Sequence, residues 1–262
     1  MIGAISAAAT AAAAPPFVPT DIANLKGWYD ASDTATITES GSAVTQWNDK
    51  SGNSYNVTQG TAGRRPVTGT RTQNGKNMID FQGDDVLQAA TASNWTFMSN
   101  STGATVFIAA FYDTSASYRW QLSTGTADTT GIGAEVAADD ADKIYGVVMR
   151  GVSATRVSDS HTTTSVTDNT ANYFSMKIDN ANATAANRIL TSINAGTAYG
   201  ANTFTGVASS SDPAHPLYIG SYDTSGSAGF DGGICEIIIY SGILSNGDIT
   251  SVNTYLASKW GM

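Results

Sequence analysis

The sequence predicts an all-β domain closed by one short helix. Three observations carry that prediction. Short apolar runs alternate with Gly/Asn/Asp/Ser turns along most of the chain. The charged fraction is only 13% while glycine reaches 26 of 262 residues. Helical spacing is convincing only after Ser245. A surface rich in Ser and Thr but poor in charge suits strands, where β-branched side chains fit the pleat, and turns, where short polar side chains bond the backbone. The length is that of one large sandwich.

The elements follow in order. Met1 to Ala14 is Ala-rich and runs into Pro15-Pro16-Phe17-Val18-Pro19. No Lys or Arg precedes this apolar stretch, so the basic segment of a secretory signal is missing. Residues 1–19 are therefore expected to be an arm docking on an assembly, with Ile2, Ile5, Phe17 and Val18 as its anchors. Residues 20–262 are expected to form the β domain, a sandwich or barrel. Met78 to Phe81 reads as a strand entered through the hairpin signal Asn74-Gly75. Thr105 to Tyr112 and Ile144 to Met149 are apolar throughout, as central strands buried on both faces are. From Tyr173 to Asp179 the residues alternate, with Phe174, Met176 and Ile178 on one side and Tyr173, Ser175, Lys177 and Asp179 on the other. Ile189 and Ile193 continue the pattern, and Leu217 and Ile219 repeat it. In the last strand Cys235, Ile237 and Ile239 are expected on one face. Segments 123–130, 158–169 and 209–213 read as loops. Ser245 and Asp248 have capping spacing, Ile249, Val252 and Leu256 recur at helical spacing, and Gly261 suits a C-terminal stop.

Charge and composition exclude several functions. A net charge of -9 argues against a phosphate-backbone binder, so nucleic acid is not an expected partner. No run approaches the ~18 apolar residues of a membrane-spanning helix. The single cysteine, Cys235, cannot form an intrachain disulfide and sits in an apolar strand as a buried thiol. Of the 22 acidic residues only Glu39, Glu135 and Glu236 are glutamates, leaving 19 aspartates. Aspartate favours turns. It also supplies oxygen ligands for calcium, the one cofactor the pattern admits, with Asp139, Asp140 and Asp142 as candidate ligands.

Catalytic motifs are scarce. His161 and His215 fall in polar loops, without a Gly-x-Ser-x-Gly elbow, and cannot build a zinc site with one cysteine. Gly69 to Asn77 is a phosphate-loop decoy, one residue too long and with Asn77 in the Ser/Thr position. Carboxylates that could pair for glycoside hydrolysis include Asp84 and Asp85, Asp139, Asp140 and Asp142, and Glu236, but no E-x-D-x-E strand occurs. Glu236 alternates with apolar residues and is expected to belong to a structural network. Binding remains. Aromatic rings beside Asn/Asp loops stack on sugar C–H faces while amides and carboxylates bond the hydroxyls, and Tyr112, Tyr118, Trp120 and Tyr222 are the candidate carbohydrate contacts. Trp28, Trp47 and Trp260 read as core or rim anchors.

Segments at both ends of the domain add up to a resemblance. Trp28-Tyr29-Asp30-Ala31-Ser32-Asp33, Val44-Thr45-Gln46-Trp47-Asn48-Asp49-Lys50-Ser51-Gly52, Arg65-Pro66 and Ile79-Asp80-Phe81-Gln82-Gly83-Asp84-Asp85 with Leu87 resemble the opening of concanavalin A-like (LamG-like) modules. Gly232-Gly233-Ile234-Cys235-Glu236-Ile237-Ile238-Ile239-Tyr240 and the stretch from Tyr255-Leu256 to Lys259-Trp260-Gly261 resemble their last strand and terminal helix. The resemblance implies a jelly-roll sandwich of two antiparallel sheets that binds glycans or protein partners at loop rims, in some members with calcium. Hydrolytic members use the E-x-D-x-E strand this chain lacks, so that activity does not carry over. Asp30, Asp33 and Asp49 match recurring positions and are expected to fix the opening loops. Such modules are common in phage virion proteins. The resulting expectation is a non-enzymatic spike, fibre or decoration subunit of a phage or phage-like particle. It would be made in the bacterial cytoplasm, docked by its arm on other virion proteins, exposed to host polysaccharide, and homo-oligomeric as spikes usually are. A secreted glycan-active hydrolase and a purely structural cement protein are the alternatives.

Overall fold

The computed structural model describes residues 16–114, 118–125, 132–138, 142–150, 156–196, 200 and 206–262. In chain order the strands are β1 (Leu25–Asp30), β2 (Ile37–Ser40), β3 (Ala43–Trp47), β4 (Val57–Thr58), β5 (Val67–Gln73), β6 (Lys76–Gln82), β7 (Leu87–Ala89), β8 (Ala104–Tyr112), β9 (Arg119–Ser123), β10 (Ile132–Ala138), β11 (Lys143–Arg150), β12 (Arg156–Ser165), β13 (Thr170–Ile178), β14 (Ile189–Ile193), β15 (Tyr218–Ile219) and β16 (Asp231–Ser241). One α-helix, α1 (Asn246–Trp260), closes the chain.

The strands form one curled antiparallel ladder, β12-β11-β10-β9-β15-β7-β4-β3-β5-β6-β16-β8-β13-β14, with β1 on the second half of β16 and β2 on β3. Its two halves face each other. A Cβ at Gly146 of β11 would stand 2.3 Å from the Met176 sulfur of β13, so glycine is what allows these strands to approach. Alternate residues of both halves fill the space between: Val106 and Ile108 of β8, Val136 of β10, Val148 of β11 and Phe174, Met176 and Ile178 of β13 belong to one buried core. The β13 alternation is as the sequence predicts. So is the β5–β6 hairpin, whose Asn74 and Gly75 have φ of 48° and 72°, the left-handed pair that a two-residue hairpin turn needs.

On the outer face of β8 and β16, Val252, Leu256 and Trp260 of α1 bury against Phe107, Ile238 and Tyr240. The Ser245 hydroxyl accepts the Asp248 N–H at 3.1 Å, and Gly261 ends the helix in the left-handed conformation at φ 69°.

Two strand expectations need correction. The ladder slips between Ile234 and Glu236 where β16 pairs with β8. This bulge turns Cys235 toward α1, while Ile237 and Ile239 face the central core, so the three do not share a face. Segment 158–169, expected as a loop, contains most of β12, which carries His161 within a strand. β12 ends the ladder, so one of its edges takes no part in the strand pairing, and a Ser/Thr-rich sequence suits such an edge.

Candidate functional site

The outer face of β9, β10 and β11 carries an aromatic cluster apart from the central core. A second bulge builds it. Between β10 and β9 the register slips so that Val136 faces Leu122 but Ala137 faces Trp120. Trp120 and Leu122 are two apart and would share a face in a regular strand. With the slip, Leu122 enters the core and Trp120 turns outward. There Trp120 meets three rings. Tyr118 stacks on it at 6.3 Å and 25°, Tyr145 of β11 meets it edge-on at 6.3 Å, and Tyr222 does so at 6.0 Å. Tyr118 also packs edge-on against Tyr145 at 5.9 Å.

Exposure is graded across the four rings. Trp120 and Tyr145 are buried at 4% and 1%, Tyr222 is half-buried, and Tyr118 is 37% exposed. Tyr118 also has φ +41°, a conformation that costs a bulky side chain roughly 1–2 kcal/mol. Strain of this kind persists where the surroundings hold it, and it concentrates at binding sites. The loop after β15 that supplies Tyr222 is tied to β9, since Ala228 O accepts the Trp120 N–H at 3.1 Å and Gly229 O accepts from Arg119 at 3.2 Å. Within it the Asp223 carboxylate takes the Ser225 N–H and hydroxyl at 2.9 and 2.7 Å and the Ser227 N–H at 3.2 Å.

Three of the four aromatic candidates thus come together. The fourth is a correction. Tyr112 is fully buried, packs edge-on against Phe230 at 5.2 Å, and its unpaired hydroxyl lies in the core, so no ligand reaches it. Tyr145 was missed because it sits in a run apolar on both faces. Of the metal candidates, Asp139 and Asp140 lie outside the described residues. Asp142 is a left-handed turn residue (φ 60°) whose carbonyl accepts the Val166 N–H at 2.7 Å. Among the described residues no group of three or more His, Cys, Asp or Glu is placed to hold a metal ion. Of the arm anchors, Ile2 and Ile5 lie outside the described residues. Phe17 packs on its own domain, edge-on to Tyr255 at 5.9 Å, and Val18 is 37% exposed.

Of the carboxylates named as possible hydrolytic groups, Glu236, Asp84 and Asp85 are engaged elsewhere. Glu236, fully buried, accepts from Trp28 Nε1 at 2.7 Å and from the Tyr255 hydroxyl, Lys259 Nζ and Trp260 Nε1, each at 2.8 Å. Burial raises its carboxyl pKa against the opposing pull of Lys259. Asp30 bridges Lys259 at 2.7 Å and Lys50 at 2.9 Å. Burial acts to raise Asp30, but the two ammonium groups outweigh it and hold the carboxyl below its usual range. Asp49 fixes the opening loop by accepting the N–H groups of Trp28, Ser51 and Tyr55 at 2.8–3.0 Å. Asp85 is pushed up to about 6 by burial, with the Gln82 N–H opposing. Asp84 pairs with Arg64 at 2.9 Å. A grouping invisible in the sequence gathers Asp80 and Asp113 on Arg71, at 2.8 and 2.5 Å.

No family model matches the chain, and no curated protein matches its sequence. Solved structures do. A Trypanosoma rangeli sialidase in complex with sialic acid is similar over 91% of this chain, at TM-score 0.57 and 13% identity. The chain spans only 33% of that sialidase's length. Domain 4 of AbnA, a GH43 extracellular arabinanase from Geobacillus stearothermophilus in complex with arabinotriose, covers 88% of this chain and 98% of its own, at TM-score 0.54 and 12% identity. The CBM40 of Ruminococcus gnavus IT-sialidase bound to α2,3 sialyllactose covers 67% and 95%, at 0.51 and 14%. The fold is a jelly roll. At such identities the likeness concerns the backbone arrangement alone.

Proposed function

We propose that this protein is a non-enzymatic glycan-binding module whose contact surface is the outer aromatic face of Tyr118, Trp120 and Tyr222, backed by Tyr145. The observation that carries this reading is Tyr118, a strained and partly exposed ring stacked on Trp120. Rings held by other rings offer a pre-ordered face for sugar C–H groups, at little entropic cost on binding. Support comes also from the saccharide-bound structures with the same fold. The non-enzymatic reading is supported by the four donors that occupy Glu236. The finer reading, a spike, fibre or decoration subunit of a phage-like particle facing host polysaccharide, rests on the LamG-like segments and the Ala/Pro-rich arm.

A glycan array followed by calorimetry on the best hit tests the binding site. Tyr118→Ala is expected to weaken affinity about tenfold while the domain stays folded, since a stacked ring contributes up to about 1.5 kcal/mol. An array without hits would favour a cement protein. Release of reducing ends from a bound polysaccharide would favour the hydrolase. Deleting residues 1–19 is expected to abolish particle incorporation while the sandwich still folds, and normal incorporation would remove the docking role.

A further inference from the structure

A second site is built on the opposite half of the sandwich. Tyr173, Ser175 and Lys177 of β13 point away from the core, as Phe174, Met176 and Ile178 point into it. Leu190 and Ser192 extend that outer face on β14. Helix α1 lies over β8, β13 and β16, and a cavity of about 580 Å³ lies between the helix and the outer face of β13 and β14. That is the size of a small-molecule pocket.

Its lining sets polar groups among the apolar side chains of Leu190, Ile249 and Ala257. The Ser175 and Ser192 hydroxyls bond each other at 2.9 Å. Thr250 and Thr254 donate their hydroxyls to helix carbonyls at 2.8 Å, which leaves the oxygens free to accept. Asn253 of α1 is only 6% exposed, yet its Oδ1 has no hydrogen-bond partner. A buried amide oxygen without a partner costs stability and needs an explanation. Lys177 is the one charged group among the described lining residues. Burial raises the Tyr173 pKa, so its hydroxyl stays a donor at neutral pH.

We infer that this cavity binds a small polyhydroxylated carboxylate, of the chemical class of a uronic-acid residue. Lys177 pairs with the carboxylate, and a turn of the Asn253 amide brings its Oδ1, which is closed to solvent as it stands, to a sugar hydroxyl. The site stands apart from the aromatic face and does not depend on it.

Titration of the full chain with sodium glucuronate, followed by NMR with glucose as the neutral control, tests the inference. Glucuronate is expected to bind at least about tenfold more tightly than glucose, and Lys177→Gln to remove that preference, as loss of a charge-assisted hydrogen bond does. Asn253→Leu separates a ligand role from a structural one, because it removes an unpaired buried polar atom. It is expected to abolish glucuronate binding while Tm holds or rises. Equal binding of the two sugars, equally good competition by inorganic phosphate, or an Asn253→Leu variant that loses Tm yet keeps its affinity would overturn the inference. Tyr118→Ala, on the other half of the sandwich, is expected to leave the glucuronate titration unchanged.

Discussion

Replacing Glu236 with glutamine keeps the side-chain shape and exchanges one acceptor oxygen for an NH2. Four donors converge on the carboxylate, two on each oxygen. The amide settles best with its oxygen toward Lys259 and Trp260, because the Tyr255 hydroxyl can rotate and accept from the new NH2. That leaves the Trp28 indole N–H facing another donor inside the core. A stranded buried donor costs about 1–3 kcal/mol. Lys259 also loses one of its two counter-charges, but Asp30 remains at 2.7 Å, so the full ~3–5 kcal/mol of a broken buried pair does not apply. The expected loss is about 2–4 kcal/mol, or a fall in Tm of about 5–15 °C. Urea unfolding read by tryptophan emission measures it, with Trp28 and Trp260 as reporters beside the substitution. Glu236→Leu strands both indoles and should cost more than Glu236→Gln. A glutamine variant within about 0.5 kcal/mol of the parent would refute the view that this carboxylate ties the first strand to the terminal helix.

The pH response follows from Asp85. Its folded pKa, near 6, lies above the unfolded value of about 3.9, so its stabilising contribution is complete below about pH 4 and is lost as pH rises through 6. Asp85→Asn, which keeps an oxygen for the Gln82 N–H, should therefore match the parent near pH 4 and exceed it by up to about 3 kcal/mol at pH 8, read as Tm across pH. Asp30 acts in the opposite sense, its contribution being present above about pH 4 and lost as pH falls. Gly226 has φ +74°, and a Cβ there would stand 2.0 Å from Asp84 O. Gly226→Ala should lower Tm by about 5–10 °C and weaken glycan affinity with it, because the same loop holds Tyr222 against Trp120. An unchanged calorimetric affinity would show that the loop does not set the surface.

The legible parts of this fold are those fixed by local chemistry. Ser245, Asp248 and Gly261 mark both ends of α1 through backbone bonds made within a few residues, and the parity of β13 follows from one buried face. The two bulges are different. A single extra residue at Gln121 or Cys235 leaves no mark in composition, yet each reverses the facing of everything beyond it. The outward turn of Trp120 and the facing of Ile237 and Ile239 therefore had to come from strand register. Strands buried on both sides hide parity too, which is why the sequence alone places Tyr145 in the core and Tyr112 at a contact. Glu236 was legible as structural because it alternates with apolar residues, but its four donors come from β1 and α1, at opposite ends of the domain.

The most direct test of the aromatic surface is a glycan titration followed on the indole N–H resonances of the five tryptophans. Trp28 and Trp260 are bound to Glu236, and Trp47 and Trp95 are fully buried. Only the Trp120 resonance should shift with saturating behaviour, and Tyr118→Ala should weaken that response. A bound glycan that leaves Trp120 unmoved, or shifts the Trp28 and Trp260 pair instead, would contradict the account.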